Sequence, residues 1–220
     1  KDLISIRNNR GKIVVVGGPA IVHTGAVGPL SELINLGFVQ GLLAGNALLI
    51  HDVEHSLLHT SLGIDIKKGL STTMGHRNHI IAVNELFKAG SVKKIVTSGK
   101  LKSGIFYECV KNNIPFVLAG SIRDDGPAPG VITDVVEAQK KYQALLTNAD
   151  LVIMLSTMLH SIAVGNMLPS TVKVIAIDIN PSSVTKLLDR GTGQAVGVVS
   201  DVGSFLPILL RDIKKLSKHK

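Results

Sequence analysis

Three histidines recur at intervals of four residues, and this spacing places them on one face of a helix. They are His51, His55 and His59, and Glu54 lies one step round the same helix. Imidazoles at helical spacing can bind a metal ion, but the pattern is not the H-E-x-x-H zinc motif and no further ligand is evident downstream. A partly buried polar helix face beside a ligand explains the stripe better. The sequence therefore predicts no metal site.

A second polar cluster, the segment HRNH at residues 76–79, follows Gly75. Its cationic and amide groups could grip a carboxylate. The same residues are equally consistent with the start of a helix. Both interpretations stay open at this point.

His160 is the histidine best suited to proton transfer. It follows an apolar run that ends in Ser156 and Thr157, and it precedes a stretch of small residues that includes Ala163 and Gly165. A neutral imidazole there could accept a proton from an amine, and an imidazolium could donate one to a leaving group. The alternative is that His160 only hydrogen-bonds a cofactor or the turn.

These side chains must be positioned by a repeated pattern of short apolar runs and amphipathic stretches. The runs are Ile13–Val16, Gly41–Ala44, Pro115–Ala119, Leu151–Leu155, Val172–Ile177 and Ala195–Val199, with Lys94–Val96 as a weaker seventh. Near-continuous apolar runs are typical of strands buried on both faces, and helices between them indicate βαβ units. The sequence predicts one α/β domain over residues 1–220, with a doubly wound, mainly parallel sheet of six to seven strands.

Helix-end signals support this pattern. Pro29 opens a helix that Gly37 closes, Asn180-Pro181 opens another, and Asp201 caps the last one. The stretch 62–78 has no such pattern and is interpreted as a long connection, either functional or a plain surface loop.

Small or polar residues follow every predicted strand, where open parallel sheets bind their ligands. The strand ends are Gly17-Gly18, Gly45-Asn46-Ala47, Gly120 to Gly126, Ser156 to His160, Asp178 and Ser200-Asp201-Val202. Glycines let a ligand approach backbone N–H groups, helix N-termini suit a pyrophosphate, and carboxylates suit ribose hydroxyls. The composition is that of a dinucleotide pocket, although G-x-G-x-x-G and the P-loop are absent. Taken singly, Asp178 and Asp201 are better explained as helix N-caps.

Composition excludes several other classes. The chain has 220 residues, of which 45% are hydrophobic and 18% charged, so it should fold around a sizeable core. The most apolar stretch, 13–22, is interrupted by glycine and proline and is shorter than the ~18 residues of a membrane span. The single cysteine, Cys109, excludes an intrachain disulfide, is expected to be a packed thiol, and favours a cytoplasmic location.

Charge and aromatic content argue against a nucleic-acid partner. Of the net charge of +8, residues 1–12 contribute +3 and residues 211–220 contribute +4, which leaves the rest at +1. Aromatic residues make up only 3%, with no tryptophan for base stacking. The chain begins with Lys1 rather than Met, so we expect it to be the C-terminal part of a longer polypeptide.

Four segments resemble the archaeal-type ornithine cyclodeaminase family, whose members also carry the name LOR/SDH conserved-region proteins. The segments are HTGAVGP at 23–29, AGNALLIHDVE at 44–54, AGSIRDDGP at 119–127 and MLHSIAVGNMLP at 158–169. The same module resembles the C-terminal half of bifunctional arginine dihydrolase/ornithine cyclodeaminases. The resemblance runs from about Ile13 to Pro207.

The resemblance extends, more distantly, to the NAD-binding fold of deoxyhypusine synthase. Position along the strands then implies a set of cofactor-binding residues: Asn46, Ala47, Asp125, Thr157, Met158, Leu159, His160, Asp178 at the ribose, Asp201 and Val202. The catalytic lysine of deoxyhypusine synthase has no counterpart, because Gly203-Ser204-Phe205 stands at its place. A transferase that works through an enzyme imine is therefore not expected.

The activity implied by the resemblance is NAD-dependent conversion of L-ornithine to L-proline and ammonia, with transient hydride transfer to bound NAD. Such chemistry needs a proton acceptor and a proton donor, for which His160, Asp124 and Glu54 are the candidates. The alternatives are an NAD-dependent amino-acid dehydrogenase and a non-catalytic NAD-binding regulatory module. A small-molecule amino-acid substrate and a homodimer or dimer of dimers are expected, with no nucleic-acid or membrane partner.

Overall fold

Strands and helices alternate along most of the chain in the computed structural model, which describes residues 1–65, 70–71, 75–124, 126–189 and 195–217. The strands are β1 (Ile13–Gly17), β2 (Gly41–Gly45), β3 (Thr60–Ser61), β4 (Ile64–Asp65), β5 (Leu70–Ser71), β6 (Phe116–Ala119), β7 (Val131–Ile132), β8 (Leu151–Leu155), β9 (Lys173–Asp178) and β10 (Ala195–Val199). The helices are α1 (Asp2–Asn8), α2 (Ala20–His23), α3 (Val27–Asn35), α4 (Asn46–Leu58), α5 (Gly75–Ala89), α6 (Val92–Thr97), α7 (Ile105–Lys111), α8 (Val135–Leu146), α9 (Met158–Gly165), α10 (Pro181–Asp189) and α11 (Val202–Ser217).

Within the described residues, seven strands form one parallel sheet. Their order is β10-β9-β8-β1-β2-β6-β7, and every neighbouring pair is parallel. From the central strand β1, the chain runs outwards to β2 on one side and later to β8 on the other. The point between β1 and β8 is therefore the topological switch point, where ligands of open α/β sheets bind.

The alternation of side chains along β1 divides the core into two layers. Ile13 and Val15 face a cluster that also contains residues of α2, α3, α4 and α11, whereas Val14 and Val16 face a cluster with residues of α8, α9 and α10. Both faces of the sheet are thus covered by helices, because successive side chains of a strand point to opposite faces. The predicted doubly wound α/β fold is confirmed.

The weaker seventh strand, Lys94–Val96, was wrongly predicted. These residues lie in α6, where Ser91 is the N-cap and its Oγ accepts a hydrogen bond from the Lys94 N–H at 3.1 Å. Ile95 is fully buried, so a short apolar run here fits one helical turn as well as a strand. The seventh strand of the sheet is instead β7, two residues that pair with β6.

The stretch 62–78 is partly described. β4 pairs antiparallel with β3 on one side and with β5 on the other, which gives a second, small sheet. The segment 76–79 falls in the first turns of α5, so the interpretation as a helix start is confirmed.

Three of the predicted helix ends are confirmed, but α3 begins at Val27, two residues before the predicted start at Pro29. Gly37 has a φ of +75° directly after the C-cap of α3, a conformation that glycine adopts without strain. Asn180 accepts a hydrogen bond from the Ser182 N–H at the start of α10, and Asp201 accepts one from the Gly203 N–H at the start of α11.

Cys109 is a free, fully buried thiol, and burial raises its pKa, so it is the packed cysteine that the sequence predicted. Among the described helices, none combines the length and the apolar character needed to cross a bilayer.

Candidate functional site

A cavity of about 360 Å³ with several polar side chains in its wall, named the polar cavity for them, lies beyond the carboxyl ends of the central strands. It spans the ends of β1, β2, β6 and β8 and therefore covers the switch point between β1 and β8. Its lining residues are Gly17, Pro19, Gly45, Asn46, Ala47, Leu48, Ala119, Ser121, Arg123, Asp124, Ser156, Thr157, Met158, Leu159 and His160.

Three helices begin at this cavity, and none of the three has a side-chain hydrogen bond to its first N–H groups among the described residues. They are α2, α4 and α9, whose N-caps are Pro19, Gly45 and Thr157. Among the other helices, Asp134 caps α8 and Ser91 caps α6 with their side chains, whereas α1 and α3 also have no side-chain cap. Uncapped helix N-termini present free N–H donors and positive potential, so the cavity favours an anion such as a pyrophosphate.

Glycine is required at position 18, where the ends of β1 and β8 approach each other at the switch point. A Cβ on Gly18 would collide with the carbonyl group of Ser156, and the Gly18 N–H donates to the Leu155 carbonyl at 2.9 Å. Ser156 itself has a φ of +49°, the left-handed region that a non-glycine residue adopts at a cost. Gly18 therefore permits the close approach of the ends of β1 and β8.

His160 lies in the cavity wall, in the first turn of α9. Its Nδ1 is 3.1 Å from Thr157 Oγ1, and its ring packs so closely on Gly45 that a Cβ there would come within 2.5 Å of the His160 Cε1. Burial lowers the pKa of His160, against the smaller opposing effects of the Ala119 backbone and the Asp124 charge. A neutral imidazole is therefore favoured near pH 7, as a proton acceptor requires.

Asp124 lies on the same wall. Its carboxylate accepts hydrogen bonds from the Ser121 N–H at 2.9 Å and from Ser121 Oγ at 3.2 Å, which fix it in a tight turn after β6. The structure thus places two of the three predicted catalytic residues, His160 and Asp124, in one cavity.

A second, more apolar cavity of about 300 Å³ adjoins the first and shares Ala119, Ser121, Leu159 and His160 with it. Its remaining lining residues are Gly120, Ile122, Val135, Ala138, Gln139, Tyr142, Ala163 and Met167. The Tyr142 hydroxyl donates to the Ala44 carbonyl at 2.7 Å, and burial raises its pKa. Sequence reasoning missed Tyr142, whose only signal is a polar group on an otherwise apolar helix face.

Asn46 is 3% exposed and uses its side chain to hold a loop. Its Oδ1 accepts from the Ala128 N–H at 2.9 Å, so it fixes the chain that follows Gly126. Asn46, with Ala47, Thr157, Met158 and Leu159, lies in the polar cavity wall, as the cofactor prediction expects. Asp125, also predicted to bind the cofactor, lies outside the described residues.

The other predicted cofactor residues are not in the wall of this cavity. Asp178 ends β9, and its Oδ1 accepts from the Asn180 N–H at 2.8 Å. Asp201 caps α11, and Val202 is buried. They mark the far end of the same sheet edge, two and three strands from β1.

Glu54, the third predicted catalytic residue, is not in the cavity wall. It is completely buried on α4, where its Oε1 accepts from Thr60 Oγ1 at 2.8 Å and from the Gly63 N–H at 3.0 Å. His51 Nδ1 and His79 Nδ1 approach its Oε2 to 3.5 and 3.4 Å. Burial raises the pKa of Glu54, but these histidine and hydrogen-bond contacts outweigh burial and hold that pKa well below its usual range.

The histidines of the predicted stripe do not all lie in one cluster. His51 belongs to the Glu54 cluster, whereas His59 lies just past the end of α4 with a φ of +59° and is exposed. His79, which comes from α5, was not linked to Glu54 by any pattern in the sequence. The packing of α4 against α5 is what brings it there.

The sequence matches a protein family and several known enzymes over most of its length. Residues 1–209 match the family model described as arginine dihydrolase ArgZ-like, C-terminal, Rossmann fold. The chain is 61% identical over its full length to an ornithine cyclodeaminase of Methanocaldococcus jannaschii, of which it covers 53%. It is 51% identical over 98% of its length to the bifunctional arginine dihydrolase/ornithine cyclodeaminase AgrE of Nostoc sp., of which it covers 31%. The chain thus spans about half the length of the archaeal relative and a third of AgrE.

Solved structures agree. The ternary complex of AgrE with ornithine and NAD⁺ matches the whole chain with a TM-score of 0.96 and 51% identity, and the chain covers 32% of it. A deoxyhypusine synthase of Entamoeba histolytica matches 91% of the chain at a TM-score of 0.53 and 12% identity, and the chain covers 73% of that structure. At this identity the match shows a common fold alone. Both resemblances inferred from the sequence are confirmed.

Proposed function

The chain belongs to the family of the C-terminal Rossmann-fold domain of ArgZ-like arginine dihydrolases, and from that membership we propose that it converts L-ornithine to L-proline and ammonia with NAD as cofactor. The observation that carries the proposal is its likeness, over the whole chain, to AgrE in complex with ornithine and NAD⁺. On this proposal, residues 1–220 form one NAD-binding catalytic domain.

The polar cavity supports NAD as the cofactor. Three helix N-termini without side-chain caps meet there, and a pyrophosphate would accept hydrogen bonds from the first N–H groups of α4 and α9. Ala47, Thr157 and Met158 stand at the starts of two of these helices and would hold the cofactor through the backbone. When bound, NAD supplies the transient oxidation of the ornithine α-carbon and the later reduction that gives proline.

The residues of the chain would manage the protons. His160, neutral because burial lowers its pKa, would accept a proton from a substrate amine and return one to the departing ammonia. Asp124 would stabilise the imidazolium form and attract a diammonium substrate. Glu54, buried outside the cavity wall, is better suited to positioning α4 than to contact with the substrate.

The test is incubation of the protein with L-ornithine and a catalytic amount of NAD⁺. Proline formation without accumulation of NADH is the expected result, because the hydride returns to the product. Stoichiometric NADH would instead identify an amino-acid dehydrogenase. NAD⁺ binding by calorimetry with neither product would identify a binding module and overturn the proposal for this chain.

We also propose that the protein is cytoplasmic and that it forms a homodimer or a dimer of dimers. The free, buried Cys109 is compatible with a reducing compartment. Apolar side chains at the open edge of the sheet, such as Val196 and Val199 on β10, support self-association.

A further inference from the structure

Two histidines and a glutamate from the two helices α4 and α5 meet in the interior. His51 and Glu54 come from α4 and His79 from α5, and one ligand atom of each lies within 4.8 Å of the others. Among the described residues, no other group of three or more histidine, cysteine, aspartate or glutamate side chains has such spacing. All three side chains are at least nine-tenths buried.

The two imidazoles are poorly satisfied in this arrangement. The Nδ1 atoms of His51 and His79 are both inaccessible to solvent and have no hydrogen-bond partner among the described residues. Both lie near the same oxygen, Glu54 Oε2, at 3.5 and 3.4 Å. Buried polar atoms in native proteins are normally paired, so two unpaired nitrogens beside one carboxylate oxygen need an explanation.

A metal ion bound by both histidines would account for the two unpaired nitrogens. Nitrogen and oxygen ligands bind zinc at about 2.0–2.1 Å, which sets tetrahedral ligand atoms about 3.3 Å apart. The 3.4 and 3.5 Å separations between the histidine nitrogens and Glu54 Oε2 are close to this spacing. Direct hydrogen bonds would instead be expected at about 2.7–2.9 Å for a charged pair.

Neighbouring donors orient the Glu54 carboxylate as hydrogen-bond partners orient a metal-binding carboxylate. Thr60 Oγ1 and the Gly63 N–H both donate to Oε1, at 2.8 and 3.0 Å. Among the described groups, Oε2 accepts a single, longer hydrogen bond, from the Leu62 N–H at 3.2 Å. The carboxylate is therefore held by one oxygen and presents the other to the two histidines, as outer partners do for metal-binding carboxylates.

The geometry points to a divalent transition-metal site formed by His51, Glu54 and His79, with zinc as the best-matched ion. Two imidazoles and one carboxylate are a common ligand set for zinc and leave a fourth position for water or another donor. The ion would join α4, which begins at the polar cavity, to α5. The site is separate from that cavity, because none of the three residues lines it, and it does not depend on the proposed reaction.

The experiment starts with the unmodified protein, freed of metal with a chelator and dialysed. Zn²⁺ is then titrated by calorimetry, and Co²⁺ is added to a second sample to record its visible absorption. We expect one equivalent of Zn²⁺ and a cobalt spectrum typical of a four-coordinate nitrogen and oxygen site. Absence of stoichiometric binding would overturn the inference without affecting the ornithine assay.

Variants locate the ion. His79→Ala should abolish both signals, and Thr60→Val, which removes only the outer hydrogen bond, should weaken Zn²⁺ binding about 10- to 100-fold. His59→Asn is the matched control, because His59 is an exposed histidine just beyond α4 whose left-handed conformation asparagine tolerates. Circular dichroism checks that each variant folds. Equal Zn²⁺ binding by His79→Ala and the unmodified protein would also contradict the site.

Discussion

His160 is the residue on which the proposed proton transfer in the polar cavity depends most. It stands where the polar and the apolar cavity meet, and its ring is confined by Gly45 on one side and Thr157 on the other. Burial lowers its pKa, which suits a base that must be neutral before the reaction begins. Its neighbour Asp124 is fixed by Ser121 and supplies the opposite charge.

The first residue-scale prediction concerns His160→Gln. If His160 carries protons, kcat for proline formation should fall by ~10²-fold or more while NAD affinity stays nearly constant, because only proton transfer is lost. Steady-state kinetics and NAD calorimetry measure the two quantities. Full recovery of the rate at saturating NAD would show that His160 only binds the cofactor and would leave Asp124 as the better candidate.

The second concerns Asp178 and the choice between NAD and NADP. Its carboxylate ends β9 and would accept a ribose 2′-hydroxyl but repel a 2′-phosphate. We expect tight binding of NAD and much weaker binding of NADP, with the difference reduced in Asp178→Asn. Calorimetry with both dinucleotides tests this, and equal affinity of the unmodified protein for both would show that Asp178 does not contact the ribose.

At the scale of elements, α4 is the helix that ties the site to the rest of the fold. It begins in the polar cavity and carries the metal-site residues His51 and Glu54. Between them lies Asp52, a fully buried carboxylate that accepts hydrogen bonds from the Ile105 and Phe106 N–H groups, both at 2.9 Å. Asp52 thus caps α7 from a different helix.

This cap predicts a pH dependence of stability. Burial raises the pKa of Asp52 to about 7, against the two backbone hydrogen bonds, which lower it. Because the folded pKa lies above the unfolded value of about 3.9, the contribution of Asp52 to stability is complete below pH ~4 and is lost as the pH rises towards 7.

The measurement is urea unfolding of the unmodified protein and of Asp52→Asn at several pH values. Between pH 5 and 7, the free energy of unfolding of the unmodified protein should decrease relative to the variant by up to about 1.4 kcal/mol per pH unit. Above about pH 8 the difference should be constant. Parallel curves across the whole range would mean that Asp52 stays ionised in the folded protein.

At the scale of the whole molecule, the sheet has an open edge. β10 pairs only with β9 among the described strands, and Val196 and Val199 on it are more than half exposed. An exposed apolar edge is a common site of association between copies.

We therefore expect self-association in solution. Light scattering at micromolar concentration should give two or four times the chain mass of 23.3 kDa. A mass of 23.3 kDa would exclude the homodimer and the dimer of dimers for this chain.

The sequence by itself determined the class of the fold, six of the seven strands of the main sheet and the edge at which the polar cavity lies. These features depend on local periodicity and on helix-end signals such as Gly37 and Asp201, which act within a few residues. It also placed His160 and Asp124 near each other, because the carboxyl ends of parallel strands meet at one edge of a sheet.

Tertiary structure alone decided the remaining features. Whether Ile95 lies in a strand or a helix turn cannot be told from so short an apolar run, and packing placed it in α6. The meeting of Glu54 with His79, and of Asp52 with α7, depends on how α4 packs against α5 and α7. Such contacts join residues 25 or more positions apart, and no pattern within one element specifies the path of the chain between them.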